Sequence, residues 1–412
     1  MKLPIVAAIF QRSARCLLLH HAPPVLLADV CSCITRRWLF RSSVQSASQR
    51  QKKERWLSQF TPLALGVAVY VCYKQLGRVK EREERRLGIH KPKMWSKRKV
   101  SLYTSLPLRQ SSRLFGKLAE KQIPKSLRRP IYGTYCWMYG CDMAEAASTD
   151  YRYYRTFSEF FRRKLKPGSR PVDASAFLVS PVDGTLQYCG CVAEDGRIEQ
   201  VKGVTYSLAE FLGIDAKNSE AEFRRLLRNK KQGNKLYYSV LYLAPGDYHG
   251  FHSPSDWTVT SRKHFAGQLL SVSGWILERV PGLLCLNERV LLEGEWEHGY
   301  FSLTAVAATN VGNIHIEHDD LCCTTNATGR RRPADVAGAK WRRERGERLG
   351  EFRLGSSVVL IFEAPSNFRF SPTTSNEDMT IAQVPLKRTK VKVGQKLGFI
   401  SSVSSSSRSG SG

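Results

Sequence analysis

Acidic side chains are in short supply in this chain. Its 412 residues carry 36 Asp and Glu against 64 Lys and Arg, a formal charge of +28 at pH 7. Nucleic acid, an anionic lipid surface or an import signal each account for an excess of that size. The paired aromatic strands of RNA-binding domains are missing, and so is any Cys/His zinc pattern. That sets nucleic acid aside in favour of targeting and membrane contact. The 11 cysteines lack disulfide-like spacing: Cys31/Cys33 and Cys189/Cys191 are C-x-C pairs and Cys322-Cys323 is vicinal. None has a second half at metal-ligand spacing, so free thiols are expected and no metal is assigned. The G-x-S-x-G elbow of strand-to-helix serine hydrolases is also absent.

What is present is unevenly spread, with much of the positive charge before about residue 130. Residues 1–55 hold Arg12, Arg15, Arg36, Arg37, Arg41, Arg50 and Arg55, several serines, and only Asp29 and Glu54 as acids. Arg-rich, Ser-rich and acid-poor is the composition of a mitochondrial presequence. A secretory signal is the rival, because Lys2 precedes the apolar stretch Leu3–Phe10, but no small-residue cleavage site precedes Gln11-Arg12. Trp56–Tyr73 carries no charge and is about long enough for a thin bilayer. Lys53 and Arg55 flank one side, Lys74 and Arg78 the other, and Trp56, Tyr70 and Tyr73 suit the interfaces. A single transmembrane helix is predicted over 56–74, and the two basic flanks leave its orientation open. Residues 75–107 read as a charged linker, with Arg78–Lys99 either linker or solvated helix, 108–400 as the catalytic domain, and the Ser/Gly-rich 401–412 as a disordered tail.

Ser111–Gln122 places Leu114, Phe115 and Leu118 on one helical face and ends before Pro124. The aromatic stretch Ile131–Tyr139 follows. This basic, aromatic region either lies on a membrane surface or forms a helical lid on the core. Thr156-Phe157-Ser158-Glu159 and Ser207-Leu208-Ala209-Glu210 are helix-starting capping boxes. From Phe177 onward the pattern turns to strands, at Arg197–Val201, Leu236–Leu243, Trp257–Thr260, Val290–Glu293, Tyr300–Ala307, Asn313–Ile316 and Ser357–Phe362. His318–Arg348, rich in arginine, reads as a flexible loop. The fold class is α+β: a mostly antiparallel β catalytic domain with N-terminal helices, preceded by the transmembrane helix.

Leu354-Gly355-Ser356-Ser357 stands directly before the apolar run Val358–Phe362. Gly-Ser-Ser before a strand is ordinarily a turn. It is also a place where a chain can cut itself, because a glycine before the serine lets Oγ approach the preceding carbonyl. Attack of Ser356 Oγ on the Gly355 carbonyl converts the amide to an ester. Loss of the Ser356 Cα proton then expels the Gly355 carboxylate and leaves a dehydroalanine, which tautomerises and hydrolyses to a pyruvoyl group. A serine hydroxyl needs a base for this, and the base needs an orienting group.

Three other stretches qualify as support. Asp183, in Ser180-Pro181-Val182-Asp183-Gly184, is a turn former by type. Ala244-Pro245-Gly246-Asp247-Tyr248-His249-Gly250-Phe251-His252 carries two histidines three apart, which either bind a metal or supply two separate bases. Ala308-Thr309-Asn310-Val311-Gly312-Asn313 is either a structural turn or a source of backbone donors. The order Asp183, His252, Ser356 permits an Asp–His–Ser relay without showing that the three meet.

These motifs, in this order, resemble the pyruvoyl-dependent phosphatidylserine decarboxylases of the mitochondrial, membrane-anchored type. The resemblance is carried by Phe160–Pro167, Val201–Leu208, Tyr242–His249, Asn287–Val290, Ala308–Gly312 and the Leu354–Ser357 site, and covers roughly residues 110–317 and 350–365. It implies cleavage between Gly355 and Ser356, with a β chain up to 355 and an α chain from 356 that begins with the pyruvoyl cofactor, the two held together as a heterodimer. It implies an Asp183–His252–Ser356 triad for the cut and His249 as the acid in decarboxylation. It further implies phosphatidylserine in an anionic membrane as substrate, phosphatidylethanolamine as product, and the mitochondrial inner membrane with the catalytic domain toward the intermembrane space. The sequence departs from the family in Ser357, where threonine is commoner, in the basic stretch 318–348, and in Ser366–Gln383. Those departures motivate a rival reading, a processing-deficient, membrane-tethered lipid-binding protein. Two further rivals are a serine hydrolase that does not cut itself and an RNA-binding membrane protein.

Overall fold

A computed structural model of the chain describes residues 94–193, 196–201, 204–214, 226–227, 229, 233–309, 314–317, 336–352, 356–371 and 389–401. The expected presequence, the expected helix at 56–74, most of the expected linker and the tail after 401 lie outside these residues. Among the described residues no helix is long and apolar enough to cross a membrane.

The strands are β1 (Leu178–Val179), β2 (Gly184–Cys191), β3 (Arg197–Val201), β4 (Val204–Ser207), β5 (Lys235–Leu243), β6 (Gly250–His252), β7 (Trp257–Phe265) and β8 (Arg289–Trp296). They continue with β9 (Gly299–Ala307), β10 (Ile314–Ile316), β11 (Val336–Arg343), β12 (Arg348–Phe352), β13 (Ser356–Ala364), β14 (Phe368–Phe370), β15 (Thr389–Val391) and β16 (Lys396–Ile400). An eight-stranded antiparallel sheet runs β11-β7-β8-β9-β13-β5-β2-β15, beside two three-stranded sheets, β1-β16-β14 and β10-β12-β6, and the β3–β4 hairpin. The expected antiparallel β domain with helices is therefore present.

β13 lies well inside the large sheet because its sequence is apolar on both faces. All nine of its residues are buried. Successive side chains of a strand point to opposite faces. Val358, Leu360, Phe362 and Ala364 accordingly enter one core, with Leu241, Leu243, Phe301 and Leu303. Val359 and Ile361 enter the other, with Tyr238, Val240, Leu291 and Val306. Each such aliphatic side chain contributes roughly 1.5–3 kcal/mol of burial.

Helices α1 (Lys97–Thr104), α2 (Leu108–Ala119), α3 (Lys125–Tyr139) and α4 (Phe157–Phe161) precede the sheets, and α5 (Leu208–Leu212), α6 (Gly274–Leu277) and α7 (Leu283–Leu286) interrupt them. Both predicted N-caps form: Thr156 Oγ1 accepts from Glu159 N at 3.0 Å and Ser207 Oγ from Glu210 N at 3.4 Å. Glu159 reaches back one residue further than a standard box, to Arg155 N at 2.7 Å.

Two expectations are corrected. The segment 94–107 is not linker: α1 occupies it, Trp95 N donates to Arg279 O at 3.0 Å, and Trp95, Val100 and Tyr103 pack on the second core. The second half of 318–348 is not a loop. β11 pairs with β7 at the sheet edge and Trp341 packs on the first core. An edge strand tolerates Lys340, Arg342 and Arg343, whose charge disguised it as loop. Residues 318–335 lie outside the described residues.

Candidate active site

Ser356 opens β13, opposite Leu243 at the end of β5 and Ala307 at the end of β9. Its side chain is 1% exposed, and its Oγ has no hydrogen-bond partner among the described residues. Ser357 Oγ is in the same state. Ser239 Oγ and Thr304 Oγ1 on the flanking strands are likewise without a partner among the described residues, so it is the position after Gly355 that singles out Ser356. Residues 353–355 lie outside the described residues, between Phe352 and Ser356. Upstream, Phe352 N donates to His249 O at 2.9 Å. Downstream, Ser356 pairs with Leu243. Phe352 and Ser356 are thus each bonded to an end of the loop that runs from Leu243 to His249.

That loop is held by its own turn and by the helical layer. Asp247 Oδ2 accepts from Ala244 N at 2.8 Å, and Asp247 N donates to Ala244 O at 2.9 Å. Tyr135 of α3 donates its hydroxyl to Pro245 O at 2.9 Å, and Arg163 Nη2 donates to Gly246 O at 2.6 Å. Gly246 is required by close approach: a Cβ there would stand 2.2 Å from Tyr139 O.

His249 is 1% exposed and lies against Phe161, with ring centroids 4.1 Å apart. Its Nδ1 bonds Asp247 O at 2.8 Å. A carbonyl only accepts, so Nδ1 carries the proton and Nε2 presents a lone pair, buried and without a partner among the described residues. Burial drives its pKa down to about 3, with the Arg163 charge adding and the Asp247 bond opposing. At pH 7 this imidazole is neutral.

His252 is held differently. Nδ1–H donates to Gly346 O at 2.9 Å, and Nε2 accepts from Tyr248 OH at 3.2 Å. Tyr248 OH in turn accepts from Arg348 Nε at 3.3 Å. Arg348 and Arg162 both grip Glu351, at 2.6 and 2.8 Å. Burial lowers the His252 pKa, the Gly346 bond raises it, and Arg348 lowers it further. The His-x-x-His spacing therefore delivers two separate groups with different partners.

Asp183 does not hydrogen-bond to His252. Its Oδ1 accepts from Arg170 Nε and from Val393 N, each at 2.9 Å, and Arg170 Nη2 closes on Oδ2. The Asp183 charge still acts on His252 through space, favouring its protonated form, and His252 N donates to Pro181 O at 2.8 Å. An Asp183–His252–Ser356 relay closed by hydrogen bonds is absent from this state, because both imidazole nitrogens and the carboxylate are already engaged. The expected turn at 308–313 is described only to Thr309, whose hydroxyl donates to Leu269 O at 2.8 Å.

Sequence reasoning passed over Tyr248 and Arg163, although both sit inside the motifs that carry the resemblance. It also missed the role of Asn287, whose amide bonds Leu270 N at 3.0 Å, Leu270 O at 2.8 Å and Ala307 O at 2.9 Å. That ties the strand end opposite Ser356 to a buried loop.

Comparison with known proteins gives one answer. The profile of the family described as phosphatidylserine decarboxylase matches residues 157–400. The chain is 47% identical to a mitochondrial phosphatidylserine decarboxylase proenzyme of Rattus norvegicus, over 73% of this chain and 78% of the relative. It is 40% identical to that of Caenorhabditis elegans, over 85% and 89%. With proenzyme 1 of Saccharomyces cerevisiae it shares 34%, over 72% and 73%.

Proposed function

The chain belongs to the phosphatidylserine decarboxylase family, and we propose that it is made as a precursor that cuts itself between Gly355 and Ser356 and then converts phosphatidylserine to phosphatidylethanolamine. The observation that carries this reading is the buried Ser356 hydroxyl at the head of a core strand, without a partner among the described residues, with Phe352 bonded to His249 O.

Ser356 fits the formation of an N-terminal pyruvoyl group: its hydroxyl has no partner among the described residues, and burial keeps water from the ester. For the cut, His252 releases Tyr248 and takes the Ser356 proton at Nε2, while the Asp183 charge favours the imidazolium that forms. The pyruvoyl group supplies the electron sink for loss of carbon dioxide. His249 Nε2 is the proton carrier for the carbon left behind. It is a bare acceptor here, so it is protonated only when an anionic headgroup enters and offsets its burial.

After the cut the α chain stays in place, since β13 runs between β5 and β9, β15 pairs with β2 and β16 with β1. The relatives are named mitochondrial, and the Arg-rich start of the chain supports the same address. We place the protein at the inner membrane, anchored by 56–74, with the catalytic domain on the intermembrane-space side. Helices α2 and α3 leave Leu114, Leu118, Leu127, Met138 and Trp137 (81% exposed) among exposed Lys117, Lys121, Lys125 and Arg129. Such a mixed surface suits an anionic bilayer. The test is carbon dioxide release from phosphatidylserine vesicles: wild type active, Ser356→Ala inactive. Equal release from both would refute the assignment.

A further inference from the structure

Arg163 has no role in the chemistry above, yet it is 4% exposed beside the catalytic loop. Its Nη2 donates to Gly246 O at 2.6 Å and lies 3.5 Å from Asp247 O, the same carbonyl that holds His249 Nδ1 at 2.8 Å. Its Nε and Nη1 are buried and have no partner among the described residues. The Asp247 carboxylate is turned away, toward Ala244 N and Lys390. The Phe160 ring centroid lies 5.9 Å from the guanidinium carbon. A buried cation with two donors unused and no carboxylate facing it among the described residues is costly, and an anionic oxygen is what relieves it.

We propose that Arg163 is the subsite for the phosphodiester of the phospholipid substrate, next to His249. This rests on the decarboxylase reading given above. The substrate offers two anions, and the chemistry separates them. The carboxylate loses its charge as carbon dioxide departs, so a guanidinium on it would stabilise the ground state over the transition state. The phosphodiester keeps its charge throughout, and its binding holds the reacting carbon in place without that penalty. Arginine is suited to phosphate oxygens by its fixed array of donors. An anion there also offsets the cation that opposes protonation of His249. The route from the bilayer is short: α3 carries the exposed Met138 and Trp137 and also contacts the loop through Tyr135, and a helix is about 10 Å across.

The test uses the purified full-length, self-cleaved protein, with Arg163→Gln and Arg163→Lys, acting on soluble dihexanoyl phosphatidylserine. Inhibition constants are measured for dihexanoyl phosphatidylglycerol, which has the phosphodiester without the serine, and for O-hexylserine, which has the amine and carboxylate without the phosphate. Arg163→Gln should raise the phosphatidylglycerol constant about tenfold to a hundredfold, as expected for losing a charged hydrogen bond. Arg163→Lys should raise it less, and O-hexylserine should change under about twofold in both. Unchanged phosphatidylglycerol inhibition, or an equal loss for both inhibitors, overturns the proposal. So does failure of both variants to self-cleave, since Arg163 would then be a structural clamp on Gly246. A wild-type chain that never cuts defeats the decarboxylase reading instead, and its intact mass alone reveals that.

Discussion

Asp183→Asn separates the geometry seen here from a hydrogen-bonded relay. The Asp183–Arg170 pair is nearly enclosed, with side-chain exposures of 9% and 8%. Removing one charge from a buried pair costs about 3–5 kcal/mol, because the other is left uncompensated. Arg170 keeps Glu145, at 2.6 Å, which puts the expected loss near the lower figure, about 3 kcal/mol. Asparagine can still accept from Val393 N, but its NH2 then faces Arg170. For a domain of this size about 1 kcal/mol corresponds to roughly 2–4 °C, so Tm should fall by roughly 6–12 °C. The assay is thermal unfolding in a Ser356→Ala background, where no chain is cut and processing cannot confound stability. Asp183 lies in the segment before the cut and Val393 in the segment after it, so the same change should loosen the two chains of a processed protein. An unchanged Tm, together with abolished cleavage when Ser356 is present, would refute this reasoning. It would show that Asp183 serves His252 directly.

His249→Ala should leave self-cleavage intact, read by intact mass, and lower decarboxylation by about 10²–10⁴-fold, the usual worth of a placed acid or base. Loss of cleavage would mean that the two histidines exchange roles. The His249 pKa is about 3 in the folded chain against 6.5 unfolded. The folded state therefore binds fewer protons, and stability is lost as pH falls from about 6.5 toward 3, at about 1.4 kcal/mol per unit from this residue. Unfolding of His249→Gln followed against pH should show a shallower slope in that window; parallel slopes would count against the burial argument. Gly246→Ala forces a methyl against the Tyr139 carbonyl. It should destabilise by about 1–3 kcal/mol and depress decarboxylation beyond what the Tm change explains, and normal turnover would show that the loop is not clamped by α3.

Much of the β fold was readable from patterning. β5, β9 and β13 are apolar on both faces, and such runs bounded by turns read as buried strands. The capping boxes fixed the starts of α4 and α5. The misreadings share a physical cause. β11 and the region of α1 together carry exposed lysines and arginines that outnumber their apolar residues on the core, so they look like solvated linker. Trp95, Tyr103 and Trp341 were the apolar residues that betrayed them. The site was legible in its residue types and order but not in its bonds. Nothing in the spacing shows that Arg170, thirteen positions before Asp183, takes the carboxylate, or that Tyr248 occupies His252 Nε2. Those contacts depend on how loops meet in space, which periodicity does not encode.

The central claim is the cut. Intact mass of the purified protein under denaturing conditions tests it most directly. Two chains split at Gly355/Ser356 are predicted, the smaller with a pyruvoyl N-terminus, and one unsplit chain for Ser356→Ala. A single full-length wild-type chain, or a split that survives Ser356→Ala, would contradict it.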